Sequence, residues 1–178
     1  MISLGERNRV LRLFFAIIPD KSTSVSLHAN GNLLAKHSRG HVVAAERLHL
    51  TLAFLGEVAP ERLNELLTIG KSLPRLDGAV WTIDRVGGWP NGIVWAGSSQ
   101  PCLVLSELVA ALQQGLAQAG FPTETRPYVP HVTLLRRARH RLPPQDISPL
   151  PFVLRRVSLM ESTLTPQGPQ YRELRRWP

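Results

Sequence analysis

Residues 49–56 read HLTLAFLG, and residues 131–135 read HVTLL. Both are short apolar runs that open on a histidine and place a threonine two residues later. In a β-strand, residues i and i+2 face the same way. His49 and Thr51 therefore share one face, with Leu50, Leu52 and Phe54 on the other. His131 and Thr133 repeat the pattern over Val132 and Leu134. One such pair is an ordinary feature of a strand. Two copies about eighty residues apart, each with leucine after the threonine, point to two cognate strands with a common task.

Two imidazoles across a small cleft suit acid–base chemistry near neutral pH, where histidine alone has its unperturbed pKa. One neutral ring can accept a proton while a protonated ring donates one to a leaving oxygen. Each threonine hydroxyl can donate to a non-bridging phosphate oxygen and hold it in line. A phosphodiester fits all four groups, and the spacing alone leaves open which ring starts protonated. A metal site is the weaker reading. Glu57 is the one carboxylate close to either copy, and no H-x-x-x-H or H-E-x-x-H spacing occurs. No metal or other cofactor is therefore expected.

The rest of the chain frames these strands. At 178 residues it can bury one core or two small lobes sharing a cleft. Its single cysteine, Cys102, excludes an intramolecular disulfide and a cysteine-rich zinc site. The run LFFAII (13–18) is too short to cross a bilayer, and the first ten residues lack a signal-peptide apolar region. A cytoplasmic protein without membrane association is expected. The net charge of +8 is uneven: residues 121–178 hold ten Arg against four acidic residues. Such a surface attracts polyanions, nucleic acid among them.

Patterning predicts strands over 11–18, 48–55, 79–86, 92–97 and 131–135, then two more over 152–163 and about 170–177. Helices are predicted over about 21–36, capped by Asp20, from Pro60 to about Leu73, and over 102–119, with Gly120 closing the last. Asn30-Gly31 weakens the first helix, and residues 141–151 read as a proline-rich loop. The order does not alternate as a parallel βαβ series would, so the fold class is α+β. Each His-x-Thr strand has its own group of strands and helices, which suggests an internal pseudo-duplication. His28, His37, His41 and His140 read as solvated surface residues.

The tetrads HLTL and HVTL resemble the two H-x-T-x motifs of the 2H phosphoesterase superfamily. LRLFFAI, LHLTLAFLGEV, RPYVPHVTLLRRA and YRELRRW resemble its RNA 2′,3′-cyclic phosphodiesterase (LigT, "2′–5′ RNA ligase") branch, from about residue 11 to residue 177. That resemblance implies a bilobal α+β fold of two antiparallel sheets with flanking helices, pseudo-twofold symmetry and a central cleft. Residues 1–178 would form one such domain of two intertwined lobes, each supplying one motif.

It also implies a metal-free opening of terminal 2′,3′-cyclic phosphates on RNA to 2′-phosphomonoesters. The reverse reaction would join tRNA halves through a 2′–5′ linkage. By the same resemblance His49 is the proton donor and His131 the acceptor, with Thr51, Thr133 and Arg136 on the phosphate. Strict alternation, however, would put Arg136 on the face opposite His131 unless the strand bulges. Phe14 and Tyr128 are candidates to stack on RNA bases and Arg39 to touch its phosphates, and a monomer is expected. The competing readings are a 2H enzyme for a small cyclic nucleotide or ADP-ribose cyclic phosphate, and a non-catalytic RNA-binding module.

Overall fold

The computed structural model describes residues 10–166 and 168–178. Its strands are β1 (Leu11–Ile17), β2 (His41–Val42), β3 (Leu50–Val58), β4 (Val80–Gly88), β5 (Val94–Gly97), β6 (Val132–Arg136), β7 (Gln145–Val153), β8 (Val157–Thr165) and β9 (Gly168–Trp177). The helices are α1 (Lys21–Ser38), α2 (Leu63–Ser72) and α3 (Leu103–Gln118), so the class is α+β.

All strand pairings are antiparallel, in the order β7-β4-β5-β6-β3-β1-β8-β9, with β2 pairing to β6 as well. The motif strands β3 and β6 are the two central ones. They meet at a single ladder pair, Leu50 with Val132. The two sheets expected from the sequence are thus two four-stranded halves hinged on that short seam, one motif in each.

One face of this sheet is covered and the other is not, as antiparallel sheets allow. Leu13, Phe15, Ile17, Leu50, Val132 and Leu134 point into one continuous core. Leu27 and Leu34 of α1, Leu66 and Ile69 of α2, and Leu105, Leu108, Leu112 and Leu116 of α3 fill it from the other side. Helix α1 follows β1 in the chain yet packs against β6, β2 and β7 in the opposite half. The halves are therefore interlocked.

Local chemistry explains the elements. The Asp20 carboxylate accepts the Thr23 amide at 2.8 Å and starts α1; that bond holds its pKa below the ordinary range. Gly31 does not break α1 but lets it approach β6: a Cβ there would lie 3.2 Å from Val42 Cγ1 and 3.6 Å from the Leu134 carbonyl. Gly120, at φ +70°, follows α3 where a left-handed residue is needed.

Residues 141–151 are not a loop throughout. Most of them form β7, an edge strand on β4. Proline is tolerated there because an edge residue can turn its missing N–H towards solvent. Pro149 falls within the irregular step between the Ile83 and Arg85 pairings. The strand predicted over 152–163 is accordingly two: Phe152 and Val153 finish β7, and β8 starts at Val157. Two-residue β2, in the basic connection after α1, also escaped pattern reading.

Candidate active site

The open face of the sheet carries both motifs. Each histidine is fixed in the same manner. His49 Nδ1 lies 2.8 Å from the Arg47 carbonyl, and His131 Nδ1 lies 2.8 Å from the Val129 carbonyl. A carbonyl only accepts, so Nδ1 carries the proton in each ring, and each Nε2 is left for chemistry. Among the described residues neither the Thr51 nor the Thr133 hydroxyl has a protein partner, so both remain able to donate to a ligand.

The two rings sit against aromatic walls that sequence reading did not identify. His49 packs between Phe14, at 4.9 Å between centroids, and Tyr171, edge-on at 5.1 Å. His131 meets Trp89 edge-on at 4.6 Å, and Trp89 leans on Trp95 at 5.9 Å. Trp95 stands opposite both Thr133 and Gly87 in the ladders, so it lies on the same face. Tyr171 comes from β9 and Trp89 from just beyond β4, far from either motif in sequence. The one signal available for Tyr171 was its place in YRELRRW, and for Trp89 an aromatic residue in a turn.

Arg136 reaches the site because β6 bulges. Val94 pairs with Leu135 and Trp95 with Thr133, so Leu134 is an extra residue. Leu134 and Leu135 are both buried, and Arg136 returns to the face of His131 and Thr133. Strand β3 does the same: Phe15 pairs with Ala53 and Ala16 with Thr51, leaving Leu52 extra and both Leu52 and Ala53 buried. The two motifs thus share a bulge at the same offset. It delivers the fifth residue after each histidine to the open face, Arg136 in one half and Phe54 in the other.

These surroundings set the charge of the rings. Burial, reinforced by the Arg136 cation and by His131, pushes the His49 pKa down to about 4, against a smaller raising effect of the Arg47 carbonyl. Burial and Arg136 lower His131 as well. Both rings are therefore neutral in the free protein near neutral pH, with one cation facing them both.

The remaining candidates divide. Phe14 is 3% exposed and forms a small cluster with Ala16, Met160 and Tyr171, so its ring supports His49 and offers no open surface to a base. Tyr128 packs against the main core and donates its hydroxyl to the Thr51 carbonyl at 2.8 Å. It braces one motif against the other, and this placement speaks against a stacking role. Arg39 is exposed at the left-handed end of α1 (φ 51°), beside the loop after β6. That loop is tied to α1 by the Arg139 and His140 amides, which donate to the Ser38 carbonyl. His28 contacts the Val43 carbonyl at 3.0 Å and is not a purely solvated residue. Among the described residues no three His, Cys, Asp or Glu side chains form a cluster able to hold a metal ion, and no helix is long and apolar enough to cross a membrane.

Two histidines and two threonines, one pair per half of a pseudo-symmetric antiparallel sheet, define a 2H phosphoesterase. The chain belongs to the LigT like phosphoesterase family, whose model matches it twice, at residues 24–95 and 99–171, once over each motif. It is 34% identical over 170 residues to the RNA 2′,3′-cyclic phosphodiesterase of Escherichia coli (strain K12), covering 93% of this chain and 95% of that one. It is 32% identical over 149 residues to the protein of the same name from Methanocaldococcus jannaschii, covering 76% and 83%. The crystal structure of E. coli LigT complexed with 3′-AMP superposes with a TM-score of 0.82 at 33% identity, covering 95% of this chain and 98% of that one.

Proposed function

We propose that this enzyme opens terminal 2′,3′-cyclic phosphates on RNA to 2′-phosphomonoesters by two-histidine acid–base catalysis that needs no metal. The observation that carries this reading is the matched tautomer of His49 and His131: each Nδ1–H is spent on its own chain, and each Nε2 is free on the open face.

In the reaction, His131 Nε2 takes a proton from water as the oxygen attacks phosphorus. The P–O3′ bond breaks, and His49 Nε2–H gives its proton to the departing 3′-oxygen. Thr51 and Thr133 donate to the non-bridging oxygens, and Arg136 offsets charge that builds on them. The free rings are neutral, so the donor must be charged when substrate binds. The phosphate anion supplies the opposite charge that favours an imidazolium and offsets the effects of burial and Arg136. Run in reverse with a ribose 5′-hydroxyl as nucleophile, the same groups would form a 2′–5′ linkage. The two lobes act as one catalytic unit, since each holds half of the acid–base pair.

A polymer is favoured over a small cyclic nucleotide by the unpaired cations beside the site. Arg62, Arg75, Arg85, Arg126, Arg172 and Arg176 each sit against a carboxylate. Arg39, Arg137, Arg139 and Arg141 have no ion-pair partner among the described residues, and all are exposed around the end of β6. The deciding experiment is product analysis after incubation with an oligonucleotide 2′,3′-cyclic phosphate. A 2′-phosphate end supports the reading. A 3′-phosphate end, or activity abolished by EDTA and restored by a divalent cation, overturns it.

A further inference from the structure

The face that carries His49 and Thr51 holds a feature that proton transfer does not use. Phe54 is 54% exposed, and among the described residues it is the one aromatic side chain with so large an open surface. The bulge at Leu52-Ala53 is what turns it outward: strict alternation would have placed it with Leu50 and Leu52 in the core. Its ladder partner is Phe14, whose own ring rests on His49, so Phe54 stands beside the catalytic histidine on the same face. The Arg12 guanidinium covers its ring at 4.9 Å from the centroid. A ring has two faces; the cation takes one, and the other is left open.

The spacing gives this surface a ligand. With Leu52 and Ala53 occupying one pleat position, Phe54 lies two positions beyond Thr51, roughly 7 Å along the strand. That is about the reach from phosphorus to the base within one nucleotide. The other aromatic residues of the site are committed elsewhere, since Tyr171 and Trp89 meet the imidazoles edge-on and Phe14 is buried. We infer that Phe54 is the platform on which the base of the terminal nucleoside stacks, with Arg12 as a positioning residue that holds the ring. This rests on Thr51 binding the phosphate, as proposed above. The two equivalent bulges then divide the substrate: Arg136 serves its charge and Phe54 its base. Stacking tolerates every base but favours larger rings, so purine ends are preferred to pyrimidine ends.

The test compares wild type with Phe54→Ala, Phe54→Leu and Phe54→Tyr on adenosine 2′,3′-cyclic phosphate and on an oligonucleotide whose cyclic-phosphate end lacks a base. Phe54 is exposed, so these variants should fold, and thermal melts check that they do. The KM for the adenosine end should rise roughly five- to a hundredfold in the Ala and Leu variants and stay near wild type in Tyr. The base-free end should be unaffected. Arg12→Gln should raise KM less than Phe54→Ala does. Equal KM for wild type and Phe54→Ala on the adenosine end overturns the inference, and so does an equal loss on both substrates. Quenching of a 2-aminopurine nucleoside 2′-phosphate by wild type but not by Phe54→Ala reads the platform without turnover. If that quenching is seen while wild type opens neither cyclic phosphate, the proposed function fails and the platform stands.

Discussion

The Tyr128 hydroxyl donates to the Thr51 main-chain carbonyl at 2.8 Å, which ties the approach to the second motif to the backbone of the first. The seam between β3 and β6 has only one ladder pair, so this bond is one of few polar links between the two halves at the site. Burial pushes the phenol pKa up, and the group donates at any ordinary pH. Tyr128→Phe removes the bond while keeping the ring. It should lower stability by about 0.5–1.5 kcal/mol in denaturant titration and reduce kcat, since the two motifs lose relative registration.

His49→Ala and His131→Ala should each cost about 10²–10⁴-fold in kcat, because each ring handles a separate proton. Single-turnover rates with an oligonucleotide 2′,3′-cyclic phosphate measure this. Wild-type rates in both variants would rule out the two-histidine mechanism.

The pH profile follows from the lowered imidazoles. Turnover from the free enzyme needs one ring charged, and both pKa values lie below the ordinary 6.5, His49 at about 4. The kcat/KM optimum should therefore lie on the acid side of 6.5, with activity falling as pH rises through neutrality. Arg136→Gln removes a cation that disfavours imidazolium at both rings. Its profile should move in the alkaline direction while kcat drops, and kcat/KM against pH reads both effects.

The same shift has a consequence for stability. A histidine that is harder to protonate folded than unfolded favours the unfolded chain once protons are available. The contribution is intact above pH 6.5 and lost as pH falls towards 4. Thermal melts across that window should show wild type losing Tm more steeply than His49→Gln.

Gly87 is the floor under the Trp95 ring, and a Cβ there would lie 2.5 Å from Cζ2. Gly87→Ala must displace an indole that backs Trp89, and through it His131. Overpacking of this kind costs about 1–3 kcal/mol, and kcat should fall with it. Thermal denaturation and steady-state kinetics check the pair of effects.

The sequence carried the motif strands and most of the helices because their information is local. A period of two puts histidine and threonine on one face whatever lies around them, and leucines at helical spacing mark α3. Strand β7 was hidden because proline is a poor strand former in general but acceptable at an edge, and edge position is not a local property. Phe14 and Tyr128 were read as aromatic residues near a motif. Whether such a ring is open or buried depends on strands that pack against it from elsewhere in the chain.

What the sequence determined by itself was the chemistry: two imidazoles, two hydroxyls, their hydrophobic backing and a basic C-terminal third. What only the tertiary structure decided was their company. Leu134 and Leu52 look like ordinary members of alternating strands, yet each is the surplus residue of a bulge, because its partner strand offers one fewer residue to pair. That mismatch between strands brings Arg136 and Phe54 to the open face. It also places Trp89 and Tyr171 against rings more than thirty residues away in sequence. A bulge is a relation between two strands, and no single stretch of sequence contains it.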